Sequence, residues 1–383
     1  MKISRLVLQA TLATIAISSA NISAQDRQEK QTPLPIDSSK EHVLLVMTDG
    51  LRWQEVFRGA DPKLLTKANN NNQPVDALEK LYLRSTLEES RTALMPFLWS
   101  HMVPDGEIYG NRDKGSEAYV TNGLNFSYPG YSETLTGHPD PRITSNDNIP
   151  NPNVTVLEWL NREWHTSNSQ AQNQTAAFGA WNTISGIVNQ QRCGFTVNAG
   201  YNPLTSIPVT PQLDLLNHFK AETPRIWDDE PFDAPTFYTA VEFLKAEKPR
   251  LLFLSLGETD DWAHAGNYGL YLDAAHRVDR YLQTLWDFVQ SDPEYRGHTT
   301  LIFLTDHGRG HAPVEWKSHG QKIPDSKYIF IAAIGAGVPP RGELGKDTPA
   351  ATQSQIAATI ARLFGKDWDK ETPEAGKPLE EIK

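Results

Sequence analysis

The sequence predicts an α/β fold, a mostly parallel central sheet with helices on both faces. Three observations carry that prediction. Five strand-length apolar runs recur at 42–47, 175–181, 251–257, 301–305 and 327–334. Stretches with apolar residues at helical spacing separate most of them, which is the alternation of a parallel sheet covered on both sides. Polar clusters that could carry chemistry fall directly after these runs or in loops, where open α/β sheets place their sites.

The chain opens on basic Met1-Lys2-Ile3-Ser4-Arg5, an apolar run from Leu6 to Ile17, and small residues at Ser18, Ser19, Ala20, Ser23 and Ala24. That is the three-part layout of a secretory signal, expected to span 1–24 with cleavage after Ala24 or Ala20. The apolar core falls short of the roughly 20 residues a membrane span needs, no later run reaches that length, and no cysteine flanks the cleavage region. A periplasmic or secreted protein without a membrane anchor is therefore expected. Residues 25–40 are polar with two prolines, which reads as a linker.

A single domain is expected over 41–366. Its first strand, His42 to Met47, ends in Thr48-Asp49-Gly50-Leu51-Arg52. Asp49 there could shape a turn or serve a site. Ser127 sits two residues before Pro129, ahead of a possible helix from Gly130 to Leu135; it could be a cap or a nucleophile whose phosphoryl group faces the helix N-terminus. Asn146, Asp147 and Asn148 follow in a proline-rich loop, where the two asparagines could donate to an anion or the three residues could merely shape a turn. Val154 to Trp164 has helical spacing, and Thr175 to Trp181 reads as a strand. Two stretches, about 55–120 and 190–235, are expected to be surface insertions. Pro235 to Ala246 is predicted helical, and the strand Leu251 to Gly257 leads to Glu258-Thr259-Asp260-Asp261-Trp262-Ala263-His264, where Asp260 and His264 are one helical turn apart. A long core helix carries Tyr271, Val278, Leu282 and Val289. The strand Leu301 to Thr305 runs into Asp306-His307-Gly308, followed by His311 and His319. Gln353 to Phe364 is a closing helix, and 367–383 is expected to be a charged tail.

Composition narrows the function. The only cysteine is Cys193, so no intrachain disulfide can form. A net charge of −11 argues against a nucleic-acid polymer as partner and leaves any anionic substrate to be drawn in by local positive charge. Three carboxylates (Asp49, Asp260, Asp306) and three imidazoles (His264, His307, His319) make two three-residue sets of the oxygen and nitrogen donors that suit zinc. Two divalent ions roughly 4 Å apart can clamp the attacking and leaving oxygens of an in-line phosphoryl displacement.

The ordered set Asp49-Gly50, Ser127-x-Pro129, Asp260-x-x-x-His264, Asp306-His307-Gly308 and His319 resembles the alkaline phosphatase superfamily, and its nucleotide pyrophosphatase/phosphodiesterase-like branch in particular. Asp49-Gly50-Leu51-Arg52 is similar to that branch's first motif, and Ser127-Tyr128-Pro129-Gly130 to its nucleophile motif, with serine in place of the usual threonine. The resemblance implies an alkaline phosphatase-like fold and two zinc ions: one on Asp49, Asp306 and His307 with Ser127 as fourth ligand, the other on Asp260, His264 and His319. It implies a phosphoryl-serine intermediate and a phosphate contact from Asn148 or Asn146. Ala263 stands where the family more often has glycine. The expected function is an exported two-metal phosphoric ester hydrolase, mono- or diesterase, acting on a small-molecule phosphate ester. The competing readings are a sulfatase or phosphomutase of the same superfamily, and a catalytically silent binding protein stabilised by its metals. Tyr131 stands where a sulfatase motif would carry arginine.

Overall fold

The computed structural model describes residues 39–167 and 174–383. The expected signal, 1–24, and nearly all of the expected linker lie outside the described residues. The chain begins with β1 (His42–Thr48), then α1 (Trp53–Arg58), α2 (Asp76–Tyr82), α3 (Leu87–Leu94), β2 (Gly106–Tyr109) and β3 (Ala118–Tyr119). Helices α4 (Ser127–Thr136) and α5 (Val156–Ser167) precede β4 (Thr175–Gly179), a single turn α6 (Ile184–Ile187) and β5 (Thr196–Ala199). Next come α7 (Pro211–Glu222), α8 (Asp233–Glu247), β6 (Leu251–Leu256), α9 (Glu258–His264), α10 (Tyr268–Ser291) and β7 (Thr299–Thr305). Strands β8 (Ile331–Gly335), β9 (Gly342–Glu343) and β10 (Ala351–Thr352) and helix α11 (Ile356–Leu363) complete the order.

Eight strands form the main sheet in the order β5-β4-β6-β1-β7-β8-β2-β9. The five from β5 to β7 run parallel, β8 is antiparallel to β7, β2 to β8, and β9 is parallel to β2. At the centre, Thr48 lies opposite Leu256 on one side and Thr305 on the other. The carboxyl ends of β6, β1 and β7 are thus level, which is where a ligand crevice forms in such sheets.

The unbroken apolar runs follow from burial on both faces. Leu44 and Val46 pack with Phe237 and Leu244 of α8 and Tyr271 and Leu282 of α10. Their neighbours Val43, Leu45 and Met47 turn the other way, onto Tyr131 of α4, Leu157 and Leu160 of α5 and Ile360 of α11. Helix α4 lies close over the end of β7: a Cβ at Gly130 would stand 2.4 Å from the Asp306 carbonyl oxygen. Only glycine lets the helix carrying Ser127 come that near.

Three expectations about organisation need correction. The stretch 55–120 is more than a surface insertion, because it supplies β2 to the main sheet. Glu107 sits buried in that strand, paired to Arg341 at 2.7 Å, so no apolar alternation announces it. The stretch 190–235 holds the edge strand β5 and helix α7; Thr210 caps α7 by accepting the Leu213 N–H, with Pro211 in the first turn. The expected charged tail packs onto the molecule through buried Trp368, Leu379 and Ile382. The Trp368 indole donates to Thr136 O at 3.0 Å, and Lys383 N–H to Gly337 O at 2.9 Å. Its charges face outward between widely spaced apolar anchors.

Candidate metal centre

Most groups of this site stand just past a strand end or at a helix start. Asp49 follows β1, Asp306 and His307 follow β7, and Asp260 and His264 stand one turn apart on α9 after β6. Ser127 is the first residue of α4, and His319 comes from the loop before β8. Hydroxyls and amides lock the strand ends. Thr259 donates to Asp49 O and meets the Thr48 hydroxyl at 2.8 Å. Thr305 accepts Leu51 N–H at 3.2 Å and donates to His307 O at 2.9 Å. Gln353 donates to the Thr305 and Asp306 carbonyls at 3.1 and 2.8 Å.

The six donors fall into two groups. In the first, Asp49 Oδ1 and Asp306 Oδ2 each stand 3.3 Å from His307 Nε2. In the second, His264 Nε2 is 3.2 Å from Asp260 Oδ2 and 2.9 Å from His319 Nε2, which in turn is 3.6 Å from Asp260 Oδ1. Within each group the candidate ligand atoms all lie within 4.8 Å of one another. The groups adjoin, because the His307 and His319 rings stack with centroids 3.9 Å apart. Ser127 Oγ approaches His307 Nε2 at 3.4 Å.

The imidazoles are set for coordination. His307 Nδ1 faces Gly308 O at 2.9 Å and His319 Nδ1 faces Asn125 O at 3.2 Å. With Nδ1–H donating to a carbonyl, Nε2 turns its lone pair toward the carboxylates. Burial lowers His307 to about 4 and His319 to about 3, so both rings are neutral at physiological pH. Burial, and then the charge of Asp260, raises Asp49 to about 7. Burial, and then Asp49, pushes Asp306 well above the carboxylate range. Asp260 differs: burial opposes its charge, but Arg309 and then His264 hold it well below the usual range.

The donor set fits a divalent cation. Among the described residues, Asp49 Oδ1 and Asp306 Oδ2 are buried with no hydrogen-bond partner, yet both converge on one imidazole nitrogen. Orphaned buried carboxylate oxygens are costly, and a cation among them removes the cost.

The Asn146 and Asn148 side chains separate in space. Asn146 Oδ1 accepts the Tyr128 N–H at 2.9 Å, in the first turn of α4 beside Ser127, which leaves its NH₂ group to donate. Asn148 Nδ2 is directed to Asn182 O at 3.3 Å and Ser185 Oγ at 3.2 Å. It lines a cavity of about 300 Å³ with Tyr201, Asp228 and Asp229. His311 pairs with Asp325 at 2.5 Å and belongs to neither donor group. Glu258 belongs to a buried network with Arg277, Trp262 and Asp233. Cys193 is buried and burial raises its thiol, which does not suit a nucleophile.

Two contributors take roles that the sequence leaves open: Arg309, a candidate substrate contact by sequence, and Glu230. Arg309 is buried against Asp260, a pairing set by a turn that no spacing rule gives. Glu230, from an irregular stretch, folds its carboxyl over Gly257 at the end of β6, where a Cβ would stand 1.3 Å from its Oε1.

A model of the type I phosphodiesterase / nucleotide pyrophosphatase family matches residues 125–356, more than half of the chain. No curated protein matches. Among solved structures, the chain is similar to the alkaline phosphatase PafA, with a TM-score of 0.58 at 11% identity over 91% of this chain and 99% of that one. The lipoteichoic acid synthase LtaP from Listeria monocytogenes gives 0.51 at 13% identity, over 86% of this chain and 72% of that one. The C-terminal periplasmic domain of EcEptC from Escherichia coli, solved in complex with Zn, gives 0.51 at 13% identity, over 92% and 91%. At such identities the likeness shows the fold, which is alkaline phosphatase-like as expected.

Proposed function

The chain belongs to the type I phosphodiesterase / nucleotide pyrophosphatase family, and from that membership and the donor geometry we propose an exported two-metal phosphoric ester hydrolase that acts through a phosphoryl-serine intermediate. The observation that carries the reading is the convergence of two buried, unpartnered carboxylate oxygens and the Ser127 hydroxyl on one imidazole nitrogen.

Asp49, Asp306 and His307 would hold one divalent ion and Asp260, His264 and His319 the other, with zinc best suited to such oxygen and nitrogen sets. Bound there, the pair would supply Lewis-acid stabilisation of the charge that develops on the attacking and leaving oxygens. Ser127 Oγ attacks phosphorus in line as its proton passes to solvent. Its P–O bond forms as the ester P–O bond breaks, and the leaving group departs with the electron pair. Water then attacks phosphorus from the vacated side, releasing phosphate or a phosphate monoester and restoring the serine hydroxyl. At the N-terminus of α4 the Ser127 N–H is the backbone donor left for the phosphoryl oxygens, because Asn146 takes the Tyr128 N–H, Pro129 has none and Gly130 N–H bonds Phe126 O. The Asn146 NH₂ group donates to one of those oxygens, whereas the Asn148 amide is taken up by Asn182 and Ser185. The substrate is a small-molecule phosphate ester, and export rests on the signal-like segment at 1–24.

Tyr131 is buried and its hydroxyl bonds Ser255 Oγ at 2.8 Å, so that position gives a sulfate group no contact. The test is hydrolysis of p-nitrophenyl phosphate, bis-p-nitrophenyl phosphate and p-nitrophenyl sulfate with and without a chelator. Phosphate-ester turnover that stops on chelation and returns with zinc is expected; sulfate-ester turnover alone would overturn the proposal.

A further inference from the structure

Arg309 stands one residue beyond Asp306-His307-Gly308, and its guanidinium is buried. Nε donates to Trp316 O at 2.9 Å, Nη2 to Lys317 O at 2.8 Å, and Nη1 is ion-paired with Asp260 Oδ1. With all three nitrogens engaged, it has no reach toward a substrate. The same ion pair underlies Gly50, where a Cβ would stand 2.6 Å from both Arg309 Nη1 and Asp260 Oδ1.

The two donor groups therefore differ in charge. Asp49 and Asp306 bring two carboxylates, and their converging oxygens have no hydrogen-bond partner among the described residues. The other group brings one carboxylate, Asp260, already shared with a fixed cation. The groups differ in shelter as well: the side chains of Asp306 and His307 are 0% exposed, whereas His264 is 48% exposed.

Resting on the two-metal reading above, we propose that Arg309 makes the Asp260–His264–His319 group the weaker, exchangeable one, so that supply of the divalent ion regulates activity through that group. Arg309 acts as a positioning residue. It fixes Asp260 Oδ1 and leaves Oδ2, the atom 3.2 Å from His264 Nε2, to be offered to an ion. Its own charge repels a dication a few ångströms away, a penalty sufficient to lower affinity by about tenfold or more in partly shielded surroundings. The Asp49–Asp306–His307 group fills first and holds its ion through dilution; the other equilibrates with solution.

The test is equilibrium dialysis of the metal-free full chain against zinc, with bound metal counted by mass spectrometry. Two classes separated by at least about tenfold are expected. Arg309→Gln narrows the gap by tightening the weaker class, whereas Arg309→Lys keeps the charge and keeps that class weak. His264→Ala, at an exposed position, abolishes the weaker class and spares the tighter one. Equal affinities, loss of the tighter class in His264→Ala, or a weaker class that loosens in Arg309→Gln and recovers in Arg309→Lys would overturn the inference. A chain that binds no zinc at all would overturn the two-metal reading itself.

Discussion

The chemistry rests on single atoms. Ser127 Oγ lies 3.4 Å from His307 Nε2, so Ser127→Ala is expected to lower turnover by about 10³-fold or more, while Asp49, Asp306 and His307 still retain the ion. Retained turnover would show that another group attacks phosphorus. Asp306→Asn should do something different. Asp306 supplies one of the two buried unpartnered oxygens and also accepts the Gly50 N–H at 3.0 Å. The variant is expected to lose an ion together with its activity, and metal analysis that still counts two ions would contradict the ligand assignment. These residues were legible because Asp-Gly and Asp-His-Gly directly follow apolar runs, and strand ends gather in space. Arg309 was not. Its partner Asp260 lies 49 positions away, and its other bonds go to carbonyls, which no side-chain pattern records. Asn146 and Asn148 could not be told apart because their difference lies in which neighbour each amide meets.

At the scale of elements, α4 must lie close against the end of β7 to bring Ser127 to His307. Gly130→Ala places a methyl 2.4 Å from the Asp306 carbonyl and should cost about 1–3 kcal/mol of stability, with a larger loss of turnover than of folded protein. Denaturant unfolding beside the kinetic assay separates the two. Helix α10 offers a pH test away from the site. Burial raises Asp279 to about 7, against the Phe97 and Leu98 N–H groups it accepts at 2.8 Å each. Its folded value lies above its unfolded value near 4, so the folded state binds a proton the unfolded chain lacks between about pH 4 and 7. This contribution therefore favours folding at pH 5 and is lost as pH rises through 7. The gain in thermal stability from pH 8 to pH 5 should be smaller in Asp279→Asn than in the parent; an equal gain would place the proton elsewhere. The strands β1, β6 and β7 could be read from their apolar runs, whereas β2 could not, being four residues with a buried Glu107.

For the whole molecule, a centre of one large parallel sheet was legible, and its margins were not. The segment 367–383 looked like a tail because its charges dominate a local window, yet Trp368, Leu379 and Ile382 are each 3% exposed or less. Burial of such side chains contributes roughly 1.5–3 kcal/mol each. A chain ending at residue 366 is therefore expected to unfold at markedly lower denaturant; an unchanged midpoint would mean the segment does not dock in solution. The central claim is also molecular in scale: side chains from positions as far apart as Asp49 and His319 meet to hold two cations, with a hydroxyl against one of them. Zinc-edge anomalous diffraction from crystals grown with zinc tests it most directly. Two peaks roughly 4 Å apart are expected, one among Asp49, Asp306, His307 and Ser127 Oγ and the other among Asp260, His264 and His319. A single peak elsewhere, or a Ser127 Oγ far from both ions, would contradict the account.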